Sequence, residues 1–278
     1  MTKARVSIRR FTLPYTFLTA LAITAAFPLL WIVISSLKSA PELAHDPLSF
    51  WPSAPTLEHY RHVLFDLGAL GNLGNSLLIS LSTTALTIAA STTAAYGIVR
   101  FYPKVGQRLT QLLISTYMFP PILLAVPYTV IMISLGLANT YVGLVLAYLS
   151  FSIPYAIWML TAFYQTVPIE IEEAAYVDGA GQFRTFLSIA SPIVLPGIVA
   201  TAIYTFINSF NEFLYALLFI NSSDRMPISV ALYSLSGSEV LDWGAMMAAS
   251  VVVVLPSVVF FLAIQRHIAA GLSEGSVK

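Results

Sequence analysis

Hydrophobic positions in this chain form runs far longer than a soluble core would need, separated by short polar breaks. No charged residue lies between Phe11 and Leu37, between Leu67 and Val99, between Leu109 and Ile169, or between Trp243 and Gln265. From Thr185 to Ser223 the only charge is Glu212. A helix needs about 20 apolar residues to cross the hydrocarbon core of a bilayer. The stretch 109–169 is long enough for two crossings, and the polar break Gly136-Leu-Ala-Asn-Thr140 divides it. The pattern therefore predicts an all-α integral membrane protein, a single membrane domain over 1–278. Its roughly six spans fall at about 13–37, 73–99, 109–135, 142–164, 192–219 and 244–266. The first run is too long for the apolar core of a signal peptide, and no small-x-small cleavage site follows it, so it reads as a retained helix.

Lys and Arg set the orientation, because loops on the cytoplasmic side collect them. With both termini inside, the cytoplasmic segments hold Lys3, Arg5, Arg9, Arg10, Arg100, Lys104, Arg108, Arg184, Arg266 and Lys278. The outside holds only Lys38, Arg61 and Arg225. The outer segment at about 38–72 is too short for a domain with its own core and reads as a small cap or a docking surface. Pro28, Pro120, Pro121, Pro127, Pro154, Pro192, Pro196 and Pro256 fall within or at the ends of spans. Proline is tolerated there where neighbouring groups satisfy the freed carbonyls. Two readings of Pro120, Pro121 and Pro127 stand: ordinary kinks, or a deliberate break of the third span beside a pathway.

Composition narrows the chemistry. Only 9% of residues are charged, against roughly 25% in soluble domains. The net charge is zero, which offers no case for nucleic acid binding, and there is no cysteine, so disulfides and thiolate chemistry are excluded. Of the four histidines, His45, His59 and His62 share one polar stretch and His267 lies apart. No other ligand type is spaced to complete a metal site with them, and none is expected. The spans contain no His-x-x-x-His, Asp pair or Gly-x-Ser-x-Gly, which argues against an intramembrane enzyme.

Two segments stand out. In the fifth span Tyr204, Asn208, Asn211, Glu212 and Tyr215 recur at helical spacing and share one face. A carboxylate inside a span is costly unless it faces the bundle interior or water. Amides, a carboxylate and phenols together suit a sugar, so this face is a candidate substrate pathway. Packing of polar groups between helices and a proton relay are the alternatives. Tyr117, Tyr128, Asn139 and Tyr155 are weaker candidates, each alone being more ordinarily a packing or interfacial residue. The second segment runs Pro168-Ile-Glu-Ile-Glu-Glu-Ala-Ala-Tyr-Val-Asp-Gly-Ala-Gly181 between the fourth and fifth spans. Pro168 suits a first helical position. Glu170, Glu172 and Glu173 follow where the helix dipole favours anions, and Gly179 and Gly181 can end the helix. A second short helix over about 182–190 leads to Pro192. On this physics alone the segment is either a solvated amphipathic linker or a helix held across the membrane surface for a purpose.

Its motif carries a family likeness. Glu173-Ala174-Ala175, then Asp178-Gly179-Ala180, then Ile189 and Pro192 resembles the "EAA" loop of permease subunits in binding-protein-dependent ABC importers. Ser191 stands where that pattern has leucine. The six-span layout, Asn75-Ser76 opening the second span, and the tail Gln265-Arg266-His267-Ile268 with Gly271-Leu272-Ser273-Glu274-Gly275 extend the likeness. They resemble the carbohydrate-uptake branch, in particular the shorter permease of maltose-type systems.

The resemblance implies a bacterial plasma (inner) membrane permease forming half of a translocation pathway. Its partners would be a second homologous permease, a dimer of cytoplasmic ATPase subunits, an extracytoplasmic solute-binding protein and a sugar, all in contact with membrane lipid. It implies that the loop forms coupling helices seated on the ATPase, with Glu173, Ala174, Ala175, Asp178 and Gly179 at the joint. The tail residues Ser273, Glu274 and Gly275 would reach the ATPase as well, unless they are a frayed end. The chain has no Gly-x-x-x-x-Gly-Lys-Ser/Thr phosphate loop, so no cofactor is expected in it, and ATP and Mg would be held by the partner ATPase. Alternatives are a permease for another polar solute such as glycerol phosphate, or a secondary transporter with no ATPase.

Overall fold

In the computed structural model, backbone is described for residues 9–235 and 242–274, and side chains are not described for 9–13, 107 and 264–274. The first long apolar run forms α1 (Arg9–Ser36), which carries Pro14 and Pro28 within it. Two short helices follow, α2 (Ala40–His45) and α3 (Glu58–Arg61), the latter running into a π-turn over His62–Asp66. The next elements are α4 (Ala69–Phe101), α5 (Pro103–Tyr117), α6 (Pro121–Ser134) and α7 (Tyr141–Gln165). The loop helices are α8 (Ile169–Val177) and α9 (Gln182–Thr185), with a π-turn over Phe186–Ala190. Then come α10 (Ser191–Ile193), α11 (Leu195–Phe210), α12 (Leu214–Phe219), α13 (Ile228–Leu235) and α14 (Trp243–Glu274). Among the described residues there is no strand.

Among the described residues, four helices are long and apolar enough to cross a membrane: Pro14–Ser36, Ala69–Phe101, Tyr141–Gln165 and Trp243–Ala263. Two further crossings are bent pairs. Pro103–Tyr117 meets Pro121–Ser134 at 92°, and Gln182–Ile193 meets Leu195–Phe210 at 77°. The count of six is reached only with these pairs; the first bend falls where Pro120, Pro121 and Pro127 allowed a break, whereas no bend was read from the sequence of the fifth span. At the first bend Pro120 precedes another proline, which bars it from helical backbone. Pro120 sits extended at φ −60°, ψ 123°, so the third span is two half-helices. The break between α6 and α7 lies at the expected place. Gly136 and Asn139 adopt positive φ, 70° and 57°, and Thr140 caps α7 by accepting a hydrogen bond from the Gly143 N–H at 3.0 Å.

The chain divides into two compact units, Met1–Ala69 with Ser234–Val252, and Leu70–Tyr233 with Val253–Lys278. In the first unit the segment after α1 folds around Lys38, which is fully buried. Its Nζ donates to the carbonyls of Pro47 (2.9 Å) and Ser49 (2.5 Å) and lies 5.0 Å from the centre of the Trp31 ring. A buried ammonium is tolerated only when so paired. Glu42 closes the same loop by accepting from the Ser53 N–H at 2.9 Å, and that bond holds its carboxyl below the usual range.

In the second unit α7 packs against α5 and α11, and α12 packs against α6 and α7. One core cluster gathers Ile79, Leu144, Tyr148, Tyr215 and Phe219. Another gathers Tyr96, Leu160, Tyr164, Phe186 and Val194. Asn75 and Ser76 tie three elements together here. Asn75 Nδ2 donates to the carbonyls of Asp224 and Met226, its Oδ1 accepts from Tyr141, and Ser76 Oγ accepts from the Ile228 N–H.

Candidate functional site

The polar face of the fifth span is not one helix. α11 ends at Phe210, and Asn211, Glu212 and Phe213 separate it from α12. Two asparagine amides bond back onto α11, where the Ile207 carbonyl also keeps its bond from the Asn211 N–H at 3.1 Å, and one carboxylate serves the start of α12. Asn208 Nδ2 donates to the Tyr204 carbonyl at 2.9 Å and Asn211 Nδ2 to the Ile207 carbonyl at 2.8 Å. Glu212 turns forward, accepting from the N–H groups of Tyr215 (3.0 Å) and Ala216 (3.2 Å). A carboxylate at a helix start satisfies donors that have no partner within the helix and complements the helix dipole. Ser229 Oγ donates to the Glu212 carbonyl. The start of α12 is thus built from the Glu212 carboxylate, inside an otherwise apolar run.

Beside the break lies a cavity of about 430 Å³, within the roughly 300–1,000 Å³ range of small-molecule sites. Tyr204, Asn208, Glu212 and Tyr215 line it, joined by Tyr117, Tyr128, Tyr148, Ser150 and Thr205 among others. Asn211, the fifth residue of the expected face, is exposed and absent from the lining. Tyr117 and Tyr204 share a hydroxyl–hydroxyl bond. The Tyr155 ring stacks on Tyr204, centroids 4.0 Å apart. Tyr215 OH donates to the Pro121 carbonyl at 2.9 Å, binding the α12 side of the break to the start of α6. Tyr148, fully buried, was not legible as a lining residue: it sits in a uniformly apolar span, and only the packing of α7 against α11 and α12 aims it here. Asn139 serves elsewhere, its Oδ1 accepting from Asn221 N, Ser222 N and Ser222 Oγ.

The loop between α7 and α11 is the second candidate site. Pro168 is the residue before α8 rather than its first, at φ −60°, ψ 133°. α8 ends in a Schellman motif. The Ala180 N–H bonds to the Ala175 carbonyl at 2.9 Å and the Gly179 N–H to the Tyr176 carbonyl at 3.0 Å. This geometry places Gly179 at φ 83°, where a glycine is favoured. Gly181 has φ −75° and instead precedes α9, so of the two glycines only Gly179 is conformationally required. Glu173, Ala174, Asp178 and Gly179 are exposed, while Ala175 is buried. Around them Ile169, Val177, Phe183 and Leu187 are exposed by half or more, an apolar surface of the kind that marks an interaction site.

The glutamate beside Glu173 behaves oppositely. Glu172 is buried, and Arg100, at the end of α4, faces it. Arg100 Nε donates to Glu172 Oε1 at 2.8 Å, its second terminal nitrogen lies 2.6 Å from the same oxygen, and Tyr96 OH donates to Oε2 at 2.8 Å. The sequence offered a weak signal for this: Glu172 and Ala175 are three apart and so share a helix face, turned away from that of Glu173. Of the tail residues, Ser273 and Glu274 have described backbone within α14 but no described side chains, and Gly275 lies outside the described residues.

Apolar helices broken around a tyrosine-lined cavity, with an exposed helical loop hung between two of them, make the body of a solute permease. Comparison with known proteins defines which kind. Residues 87–274 match the family of binding-protein-dependent transport system inner membrane components, and the chain belongs to that family. It is a multi-pass protein of the inner membrane. It is 34% identical over 270 residues to the permease protein of the sulfoquinovosyl glycerol transport system of Agrobacterium fabrum, covering 95% of this chain and 94% of that one. It is also 34% identical over 262 residues to the trehalose/maltose transport system permease protein of Thermococcus litoralis, 93% of each. Among solved structures, a bacterial ABC transporter chain involved in import of the acidic polysaccharide alginate shares the fold, with TM-score 0.78 at 16% identity over 96% of this chain and 99% of that one.

Proposed function

We propose that this chain forms half of the translocation pathway of an ATP-driven sugar importer, with the cavity beside the α11–α12 break as its part of the solute route. The observation that supports this most is the cavity lining. It combines flat tyrosine faces with hydroxyls, an amide and a carboxylate, and it contains no Lys or Arg. Phenol rings offer apolar area together with a polar edge, which matches a pyranose. The named solutes of the two relatives are both glycosides, trehalose or maltose being neutral and sulfoquinovosyl glycerol carrying a sulfonate. A phosphorylated solute such as glycerol phosphate calls for a cation in the lining, and none is there, so a neutral glycoside is the better fit.

In this reading the family's arrangement applies. A second permease completes the pathway, an extracytoplasmic protein delivers the solute, and a pair of cytoplasmic ATPase subunits holds ATP and Mg and hydrolyses the nucleotide. Both termini and the α8–α9 loop lie on the cytoplasmic side, as the Lys/Arg distribution predicts. Glu173, Ala174, Asp178 and Gly179 present the loop's exposed face to the ATPase, Ala175 packs beneath it, and Ser273, Glu274 and Gly275 of the tail approach the same partner. The test is purification of the tagged chain from its native membrane, followed by a screen of neutral and anionic sugars for stimulation of the co-purified ATPase. Stimulation by a neutral glycoside is expected. A purified complex with no ATPase would favour a secondary transporter and overturn the proposal.

A further inference from the structure

Resting on that reading, we propose that the buried Glu172–Arg100 pair, with Tyr96, is the link that carries displacement of the coupling helix α8 into the span α4, and that Glu172 and Arg100 are positioning residues for transport. Few groups hold α8 from within: it packs against α9 and the turn over Phe186–Ala190, and Tyr176 reaches the Tyr96 hydroxyl. Its only buried residues are Glu172 and Ala175, a carboxylate and a methyl group. The remainder of the helix is exposed, including Ile169, Ile171, Tyr176 and Val177. A force applied to that exposed face therefore reaches α4 through the carboxylate, beside the covalent paths into α7 and α9.

The receiving side is built to accept it. Both Glu172 oxygens are engaged, one by Arg100 and the other by Tyr96, one helical turn earlier on α4. The side chains of Arg100 and Glu172 are 11% and 2% exposed, so water competes little for either. Arg100 also donates to the Val167 carbonyl at 2.9 Å, in the turn that leads from α7 into α8. One guanidinium thus holds the entry to the loop and its first helix to the same end of α4. A planar, multiply donating group resists reorientation in a way that a lysine does not. The Tyr96 ring in turn packs on Tyr164 and Phe186, centroids 5.6 and 5.0 Å away, which extends the link to the end of α7 and to the turn before α10. α8 cannot shift independently of α4 without breaking the pair. Glu173 and Glu172 then divide the work: the outer one meets the ATPase and the inner one delivers its motion.

The experiment uses the whole transporter reconstituted in proteoliposomes, with uptake and ATP hydrolysis measured in the same vesicles. Glu172→Gln keeps the shape and one acceptor but removes the charge. It is expected to lower solute molecules moved per ATP by about tenfold, within the usual range of coupling between sites, while assembled complex and basal hydrolysis per complex stay close to wild type. Arg100→Lys, which keeps the charge and loses the fork, is expected to fall between the two and reads the same ratio if Glu172→Gln does not assemble. A purely structural brace would lower uptake and hydrolysis together and leave their ratio at the wild-type value, and that result overturns the inference. A wild-type complex whose hydrolysis never responds to solute would overturn the coupling reading beneath it, which separates the two failures.

Discussion

Two buried or half-buried carboxylates in the second unit are held in opposite ways. Glu172 is matched to a cation, every oxygen bonded to side chains from another helix. Glu212 is matched to no cation, and its oxygens accept from the backbone of the helix it starts. The first arrangement ties separate elements into one body. The second ends one helix, starts another, and keeps the pair of half-helices in place around a cavity. A membrane protein that must both move and conduct needs each kind, and the partner of the carboxylate distinguishes them.

The contrast can be broken first at Arg100. Arg100→Ala leaves Glu172 buried without its counter-charge and is expected to cost about 3–5 kcal/mol of stability, read as a fall in thermal unfolding temperature in detergent. Replacing both, as Arg100→Met with Glu172→Leu, is expected to recover most of that loss without restoring uptake. Glu212→Ala is expected to cost less, about 1–3 kcal/mol for two backbone donors left without acceptors, and Glu212→Gln less again, since one acceptor oxygen remains. If Glu212→Ala proved as damaging as Arg100→Ala, the distinction between the two carboxylates would fail.

Within the cavity, Tyr204→Phe removes the bond to Tyr117 but keeps the stack on Tyr155. The lost intramolecular bond is expected to cost about 0.5–1.5 kcal/mol of stability, and loss of the Tyr204 hydroxyl from the lining is expected to raise the solute concentration for half-maximal uptake. Asn208→Ala is expected to impair uptake, whereas Asn211→Ala, outside the lining, is expected to leave solute affinity unchanged. Equal effects on affinity would return Asn211 to the pathway.

The smallest effect lies in the other unit. The Ser53 N–H holds the Glu42 carboxyl below its ordinary 4.5. A depressed carboxyl stabilises the fold above its unfolded value, and the contribution fades as pH falls through the folded one. Protease resistance of the 38–56 segment is therefore expected to weaken between neutral pH and the acid side of that value, and Glu42→Gln is expected to flatten the dependence.

Much of this was legible in the sequence. Charge-free runs marked α1, α4, α7 and the start of α14 to within a few residues, because a bilayer imposes both length and apolarity on a straight span; α14 itself continues to Glu274. The Gly136–Thr140 break and the positive φ of Gly179 were legible for the same local reason: few residues can occupy those conformations. The third and fifth spans were not, since hydropathy is blind to direction and a half-helix followed by a bent half-helix scores like one span. Pro120-Pro121 held the clue to the first bend. The second depended on where Glu212 spends its oxygens, which spacing cannot reveal. The face read as Tyr204 to Tyr215 therefore kept four members and lost Asn211. The division of labour between Glu172 and Glu173 likewise required Arg100, 72 residues earlier in the chain.

Gly179 tests the central claim most directly, because no other group of this chain lies near it and, within the chain, its backbone angle is what restricts substitution. Uptake and ATP hydrolysis should be measured side by side for Gly179→Asn and Gly179→Val in the reconstituted transporter. Asparagine tolerates positive φ and a β-branched residue does not. The expected result is near-normal transport for the asparagine variant and, for the valine variant, uptake lost while the protein remains in the membrane and the ATPase still turns over. Wild-type uptake by Gly179→Val would contradict the account.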